Sequence, residues 1–369
     1  MNTQPLRRQR IVFSILFLMG ANLLLGGSYG ARQDAWISLF IALVLLLLWG
    51  FLLARLSILR PGEDIFDLLE LLPSPLRKTV SFVLILFCFG QAAVTIRTYA
   101  GFARMVSLQN TDLFFLTAMF CLAAVFFLRR DHVMMCRFSY AVAIPVFFIV
   151  LLIFALLVPM FRGELLYPIA YNNTKQIALS VTENLSFPFG NAFLLFGLLY
   201  EKDAAGKTCG SWFLSILGAG ALSLLILFQN LLLLGGDLAE NLNFPYNFST
   251  SLVNVADFFS RLEVFASMFF FLSAVARSSY CLMLAGKGME SLFSVNRRSL
   301  AYPLGFLLCG YCLIMFENTN TVFNYLEIFP MLAIPLQFIL PFILWMLAEG
   351  RKRKESRRIS SKSCKSLQK

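Results

Sequence analysis

Histidine is nearly missing from this chain of 369 residues; it occurs once, as His132 in an Arg-Arg-Asp-His segment. One histidine supplies no His-rich metal site, and neither an H-E-x-x-H pattern nor a Cys–His array is present. Glycine-rich phosphate loops and dinucleotide fingerprints are missing too, so the chain carries no nucleotide-hydrolysing equipment of its own. The eight cysteines scatter through apolar runs and the basic tail. The C-x-x-C spacing of Cys309 and Cys312 lies inside an apolar run and reads as packing thiols. Charge is scarce as well, at 14% of residues, against roughly 25% in an ordinary soluble chain. These absences exclude a soluble enzyme, a secreted disulfide scaffold and a disordered chain. They also disfavour a membrane enzyme, since no nucleophile–base pair or metal array is present, and no cofactor is expected.

Apolar residues make up 59% of the chain, phenylalanine alone contributes 40 residues, and mean hydropathy is +0.76. No water-facing surface can be built from that composition, so the solvent is a bilayer. A helix needs about 20 apolar residues to cross the hydrocarbon core. Ten candidate spans follow, at 11–29, 35–54, 79–103, 112–128, 139–160, 176–199, 210–235, 264–286, 300–316 and 328–347. With both termini on the cytoplasmic side, 24 Lys and Arg fall inside and 5 outside, which matches the positive-inside bias. The net charge of +11 then faces anionic lipid, and nucleic acid need not be invoked. The organisation expected is a short cytoplasmic segment 1–10, a transmembrane domain 11–350 and a basic tail 351–369, the last expected to be disordered. Between the second and third spans, acidic and apolar residues alternate over 61–72, which predicts a short interfacial helix.

Two spans carry interruptions near their middles. The first reaches Met19-Gly20-Ala21-Asn22 before resuming at Leu23, and the sixth contains Ser186-Phe187-Pro188-Phe189-Gly190-Asn191. Proline removes a backbone donor and glycine loosens the chain. Spans one and six are five apart in a set of ten, the spacing that two inverted five-helix repeats produce. Freed backbone groups at mid-membrane are tolerated where they line a polar cavity. Close packing of small residues is the other reading of the Gly-Ala pair.

The segment Gly30-Ala31-Arg32-Gln33-Asp34-Ala35-Trp36-Ile37-Ser38 resembles the K/R-Q-D-A-W-I-S signature of the spore germination GerAB-type proteins. Phe187-Pro188-Phe189-Gly190 resembles that family's F-P-F-G-E motif. Phe244-Pro245, followed by Asp257-Phe258-Phe259 and Arg261-Leu262-Glu263, resembles the outer segment leading into its eighth helix. The resemblance implies the amino acid–polyamine–organocation transporter superfamily: an all-α, LeuT-like membrane fold of ten helices in two inverted repeats, broken in helices one and six. It further implies the B subunit of a nutrient germinant receptor in the spore inner membrane, with A and C subunits as partners and a small nutrient, often an amino acid, as ligand. Two positions depart from the family. Its G-S-G run is here Gly20-Ala21-Asn22, and the Glu of its F-P-F-G-E motif is here Asn191. The second change removes a carboxylate partner for a ligand amine.

Charged groups in the hydrocarbon core cost roughly 3 kcal/mol or more and are usually functional. Arg277, in the eighth span beside Ser273, is a cavity-lining candidate, with snorkelling to the interface as the alternative. Arg97 and Glu183, in the third and sixth spans, are candidates for an outer gate pair. The expected ligand site gathers Gly20, Ala21, Asn22, Leu23, Gln91, Thr95, Tyr99, Phe187, Phe189, Gly190, Asn191, Ser273 and Arg277. Backbone groups at the breaks would hold the polar ends of the ligand, and Phe187 and Phe189 its side chain. A secondary transporter for amino acids or related solutes is the competing function, and a non-binding scaffold a further one.

Overall fold

The structure is a computed structural model that describes residues 7–20, 24, 30–106, 108–130, 132–169, 174–201, 205–252 and 262–352. Ala21, Asn22, Leu23, Asp257, Phe258, Phe259 and Arg261 therefore lie outside the described residues. Among those described there is no strand. Helices satisfy every interior backbone group locally, as a hydrocarbon solvent demands.

Along the chain the main helices are α1 (Arg7–Met19), α2 (Ala35–Leu59), α3 (Ser74–Val106), α4 (Leu113–Leu128) and α5 (His132–Leu157). They are followed by α6 (Thr174–Ser186), α7 (Ala205–Leu234), α8 (Leu262–Phe293), α9 (Arg297–Met315) and α10 (Thr319–Ile334). Among the described residues, seven helical segments are long and apolar enough to cross a membrane, and Leu113–Leu128 is a shorter apolar helix. The α2 helix has 25 residues, about 38 Å at 1.5 Å per residue, more than the hydrocarbon thickness of about 30 Å. Its fellow spans expose apolar rather than polar side chains: Phe306 and Ile314 on α9 and Met331 on α10 are 85%, 78% and 82% exposed. Such a surface is stable only against lipid or another apolar partner. The chain is a multi-pass integral membrane protein.

Packing repeats with a shift of five helices. The pairs α1–α5, α1–α7, α3–α4, α4–α8 and α5–α8 have counterparts in α6–α10, α6–α2, α8–α9, α9–α3 and α10–α3. The pairs α2–α7, α3–α8 and α4–α9 map onto themselves, and α3 against α8 forms the central contact. Halves of the chain that share no obvious sequence repeat are thus packed by one scheme.

Helix ends follow local chemistry. Asp112 caps α4 by accepting from Phe114 N at 3.1 Å, and Asn296 caps α9 by accepting from Arg298 N at 2.9 Å. Residues 61–72 do form a short helix, Ile65–Leu68, continued as a tight turn over Leu69–Leu71. Its apolar side chains are buried, so the segment packs on the bundle rather than on lipid. The tenth helix begins at Thr319 rather than near 328, because an Asn318–Thr321 capping box starts it. Glu327, just outside the expected span 328–347, therefore sits within α10. This helix passes through a wider turn over Pro335–Ile339 and is helical again to Lys352.

Candidate functional site at the helix interruptions

The α6 helix stops at Ser186, and the chain resumes as a tight turn over Phe189–Leu195. Pro188 has no N–H to continue the ladder. The α1 helix stops at Met19, and Gly20 turns away. The last carbonyls of a helix have no intrahelical donors. Side chains from α3, α8 and α10 supply the missing donors.

Tyr99 on α3 donates its hydroxyl to the Gly20 carbonyl. Tyr280 on α8 donates to the Leu194 carbonyl at 2.9 Å. The two tyrosines stand on helices related by the five-helix shift and serve interruptions related by the same shift. Arg277 on α8 donates from Nη1 to the Phe17 carbonyl at 2.8 Å. Its charge also offsets the negative end of the α1 dipole. The Phe17 and Phe187 rings lie against this guanidinium, with centroids 5.2 and 5.0 Å from Cζ, an arrangement that stabilises a desolvated cation. Arg277 is fully buried, so it does not snorkel to an interface.

At the α6 interruption three amides join. Asn191 Nδ2 donates to Gln91 Oε1 at 2.8 Å, and Gln337 Nε2 donates to Asn191 Oδ1 at 3.1 Å and to the Ser186 carbonyl at 2.8 Å. Gln337 sits in the widened turn of α10 and is completely buried. Helical turns of this kind recur at functional sites. Sequence reading missed Gln337, although a lone amide two residues after Pro335 in an apolar span is a detectable signal. A Cβ added at Gly190 would strike the Gln337 amide and the Leu185 carbonyl, so the close approach of α10 requires glycine there.

Of the residues expected at the site, Gly20, Gln91, Tyr99, Phe187, Gly190, Asn191 and Arg277 are brought to the interruptions by these contacts. Thr95 and Ser273 are buried, but their hydroxyls donate to Gln91 O at 2.8 Å and Phe270 O at 2.7 Å within their own helices. Phe189 is buried at the start of the turn after α6. Arg97 has different partners from the expected Glu183: it donates to the Phe316 carbonyl and, at 2.6 Å, to the Glu317 carbonyl. It thereby closes the end of α9, whose last carbonyls need donors. Glu183 is half-buried, and its carbonyl accepts from Phe187 N at 2.9 Å.

Charged contacts frame both ends of the bundle. At the basic end, Lys287 on α8 pairs with Asp64 of the short helix, and Arg10 on α1 pairs with Glu201. A Cβ at Gly197 would run into the Asp64 carboxylate, so Asp64 also presses on the segment following α6. At the opposite end, exposed Arg32 meets Asp237 at 3.2 Å and Glu240 at 3.0 Å. Among the described residues, no cluster of three or more His, Cys, Asp or Glu side chains could hold a metal.

A family profile described as spore germination protein matches residues 7–347. Spore germination protein KB of Bacillus subtilis (strain 168) is 22% identical over 362 residues, spanning 95% of this chain and 96% of that protein. Among solved structures, MHP1, a nucleobase-cation-symport-1 family transporter in a closed conformation with bromovinylhydantoin bound, superposes with a TM-score of 0.66 at 12% identity, covering 90% of this chain and 77% of its own. MhsT in complex with L-phenylalanine gives 0.55 at 14% identity, over 91% and 97% of the two chains. A manganese transporter of Eremococcus coleocola gives 0.61 at 12% identity, over 91% and 78%. The chain shares the LeuT-like fold of these transporters. Its relatives are permeases and transporters rather than enzymes.

Proposed function

Because the chain belongs to the spore germination protein family of permease-like membrane proteins, we propose that it is the transporter-like B subunit of a spore germinant receptor. It binds a small nutrient, an amino acid or similar, at mid-membrane between the interruptions of α1 and α6. The observation that carries this reading is Arg277, a buried cation whose Nη1 tethers the end of α1 while the Phe17 and Phe187 rings lie against its guanidinium. One residue therefore senses both interruptions. A ligand there changes the balance between arrangements of α1 and α6 relative to the α3–α8 core, and that change is what partner subunits read. MHP1 and MhsT, whose described states hold a small organic ligand, make a ligand in this fold reasonable.

The fuller reading has ten crossings in two inverted five-helix repeats, both termini on the cytoplasmic side of the spore inner membrane, and receptor A and C subunits as partners. Membrane lipids cover the remaining apolar faces. The basic end, with Arg7, Arg10 and Lys287, supports that orientation. The test is germination of a deletion strain across a panel of nutrients, complemented by the wild-type gene. Loss and recovery of one nutrient response is the result expected. The competing reading, a secondary transporter, draws on the same fold, which by itself assigns no function. Uptake of the labelled nutrient by the purified chain in liposomes separates the two: germination dependence without flux marks a receptor, and saturable flux marks a carrier.

A further inference from the structure

Two of the three guanidinium nitrogens of Arg277, Nε and Nη2, are buried and have no hydrogen-bond partner among the described residues. They form one edge of the planar group, with parallel N–H bonds at the spacing of the two oxygens of a carboxylate. The Phe17 and Phe187 ring centroids lie 5.2 and 5.0 Å from Cζ, and the Phe17 carbonyl accepts from Nη1. Among the described residues, this is the edge of the group on which both nitrogens are unpartnered. Buried donors left unmade are rare and costly, and their presence calls for an explanation. A second group is open at the other interruption: Gln337 Oε1 is buried and unpartnered among the described residues.

Charge narrows the class. The groups tied together at the interruptions by hydrogen bonds are amides, hydroxyls, backbone carbonyls and this one cation. A ligand of net charge −1 neutralises the set. A zwitterion leaves it as positive as before and offers its ammonium only neutral acceptors, and a phosphate dianion brings surplus negative charge.

We propose that the ligand is a small monocarboxylate without an ammonium group, its carboxylate forked onto Nε and Nη2 of Arg277 and a neutral donor such as a hydroxyl given to Gln337 Oε1. The proposal rests on the interruptions being the nutrient site.

The experiment uses the full chain, purified into lipid nanodiscs, with equilibrium binding of L-lactate and 3-phenyllactate against their amino-acid counterparts L-alanine and L-phenylalanine, and of inorganic phosphate. The expected result is saturable binding of one hydroxy acid at least about tenfold tighter than the matching amino acid. Arg277→Gln abolishes that binding. Arg277→Lys keeps the charge and a donor for Phe17, so it preserves the fold while losing the fork, and weakens binding by at least about tenfold. Tighter or equal binding of the amino acid overturns the ligand class, as do phosphate binding, hydroxy-acid binding unchanged in Arg277→Lys, or no binding of either hydroxy acid at millimolar concentration. Gly20→Phe separates the two levels. An amino acid that binds the wild type and not Gly20→Phe overturns only the ligand class. A ligand that binds both equally overturns the site itself.

Discussion

At the scale of single residues, the site is a set of donors brought to carbonyls that a broken helix cannot satisfy. Tyr99 shows the logic most simply, since its one hydroxyl serves the one carbonyl at Gly20. Tyr99→Phe leaves the ring in place and orphans that carbonyl, a loss of about 1 kcal/mol, to be read as a lower melting temperature of the purified protein in detergent. The same change at Tyr280, which serves Leu194, should cost a similar amount, because each hydroxyl serves one buried carbonyl. Arg277 and Asn191 were legible in the sequence, since a charge or an amide inside an apolar run advertises itself. Their partners were not: whether Arg97 faces Glu183 or the end of α9 depends on helix rotation, which composition does not encode. Gln337 was overlooked because the span 328–347 was read as one uninterrupted apolar run, whereas the helix widens over Pro335–Ile339.

At the scale of elements, the α6 interruption and the widened turn of α10 fit together through Gly190. Gly190→Ala would force its new methyl group into the Gln337 amide and the Leu185 carbonyl, an overpacking cost of about 1–3 kcal/mol. A matching loss of stability is expected, and pairing the change with Gln337→Ala should recover part of it; full additivity in that double-mutant cycle would mean the two elements do not meet. The short helix after α2 makes a second element-level contact. Asp64 joins α8 through Lys287 and leans on Gly197 after α6. Asp64→Asn removes the charge of that half-buried pair at little cost in stability, about 1 kcal/mol or less. It should instead shift the nutrient concentration giving half-maximal germination, because the contact bridges the core and a segment expected to move. The end of α6 before Pro188 was readable from residue type alone. The start of α10 was misplaced because the capping box of Asn318 and Thr321 is a polar signal that a hydropathy count dilutes.

At the scale of the whole molecule, one packing scheme is used twice, and the interruptions lie at its two related places. The apolar runs that become the seven long helical segments and Leu113–Leu128 were legible, whereas the pairing of α3 with α8 depends on contacts far apart in sequence. The charge asymmetry predicts that, in a chain whose native cysteines are replaced, a cysteine at exposed Lys207, whose carbonyl accepts from Arg7, reacts with a membrane-impermeant thiol reagent only from the cytoplasmic side, while one at exposed Asn241 reacts from outside; the reverse pattern would invert the topology. The central claim is that a nutrient is sensed between the broken helices. It is tested most directly by the germination dose response of spores carrying Gly20→Phe, whose ring must enter the space beside Leu16 O and Arg277 Cδ, 2.9 and 3.7 Å from a Cβ at that position. With the variant present in the membrane at wild-type abundance, the account predicts that the response to its nutrient is lost and responses routed through other receptors persist. A dose response identical to that of wild-type spores would contradict it.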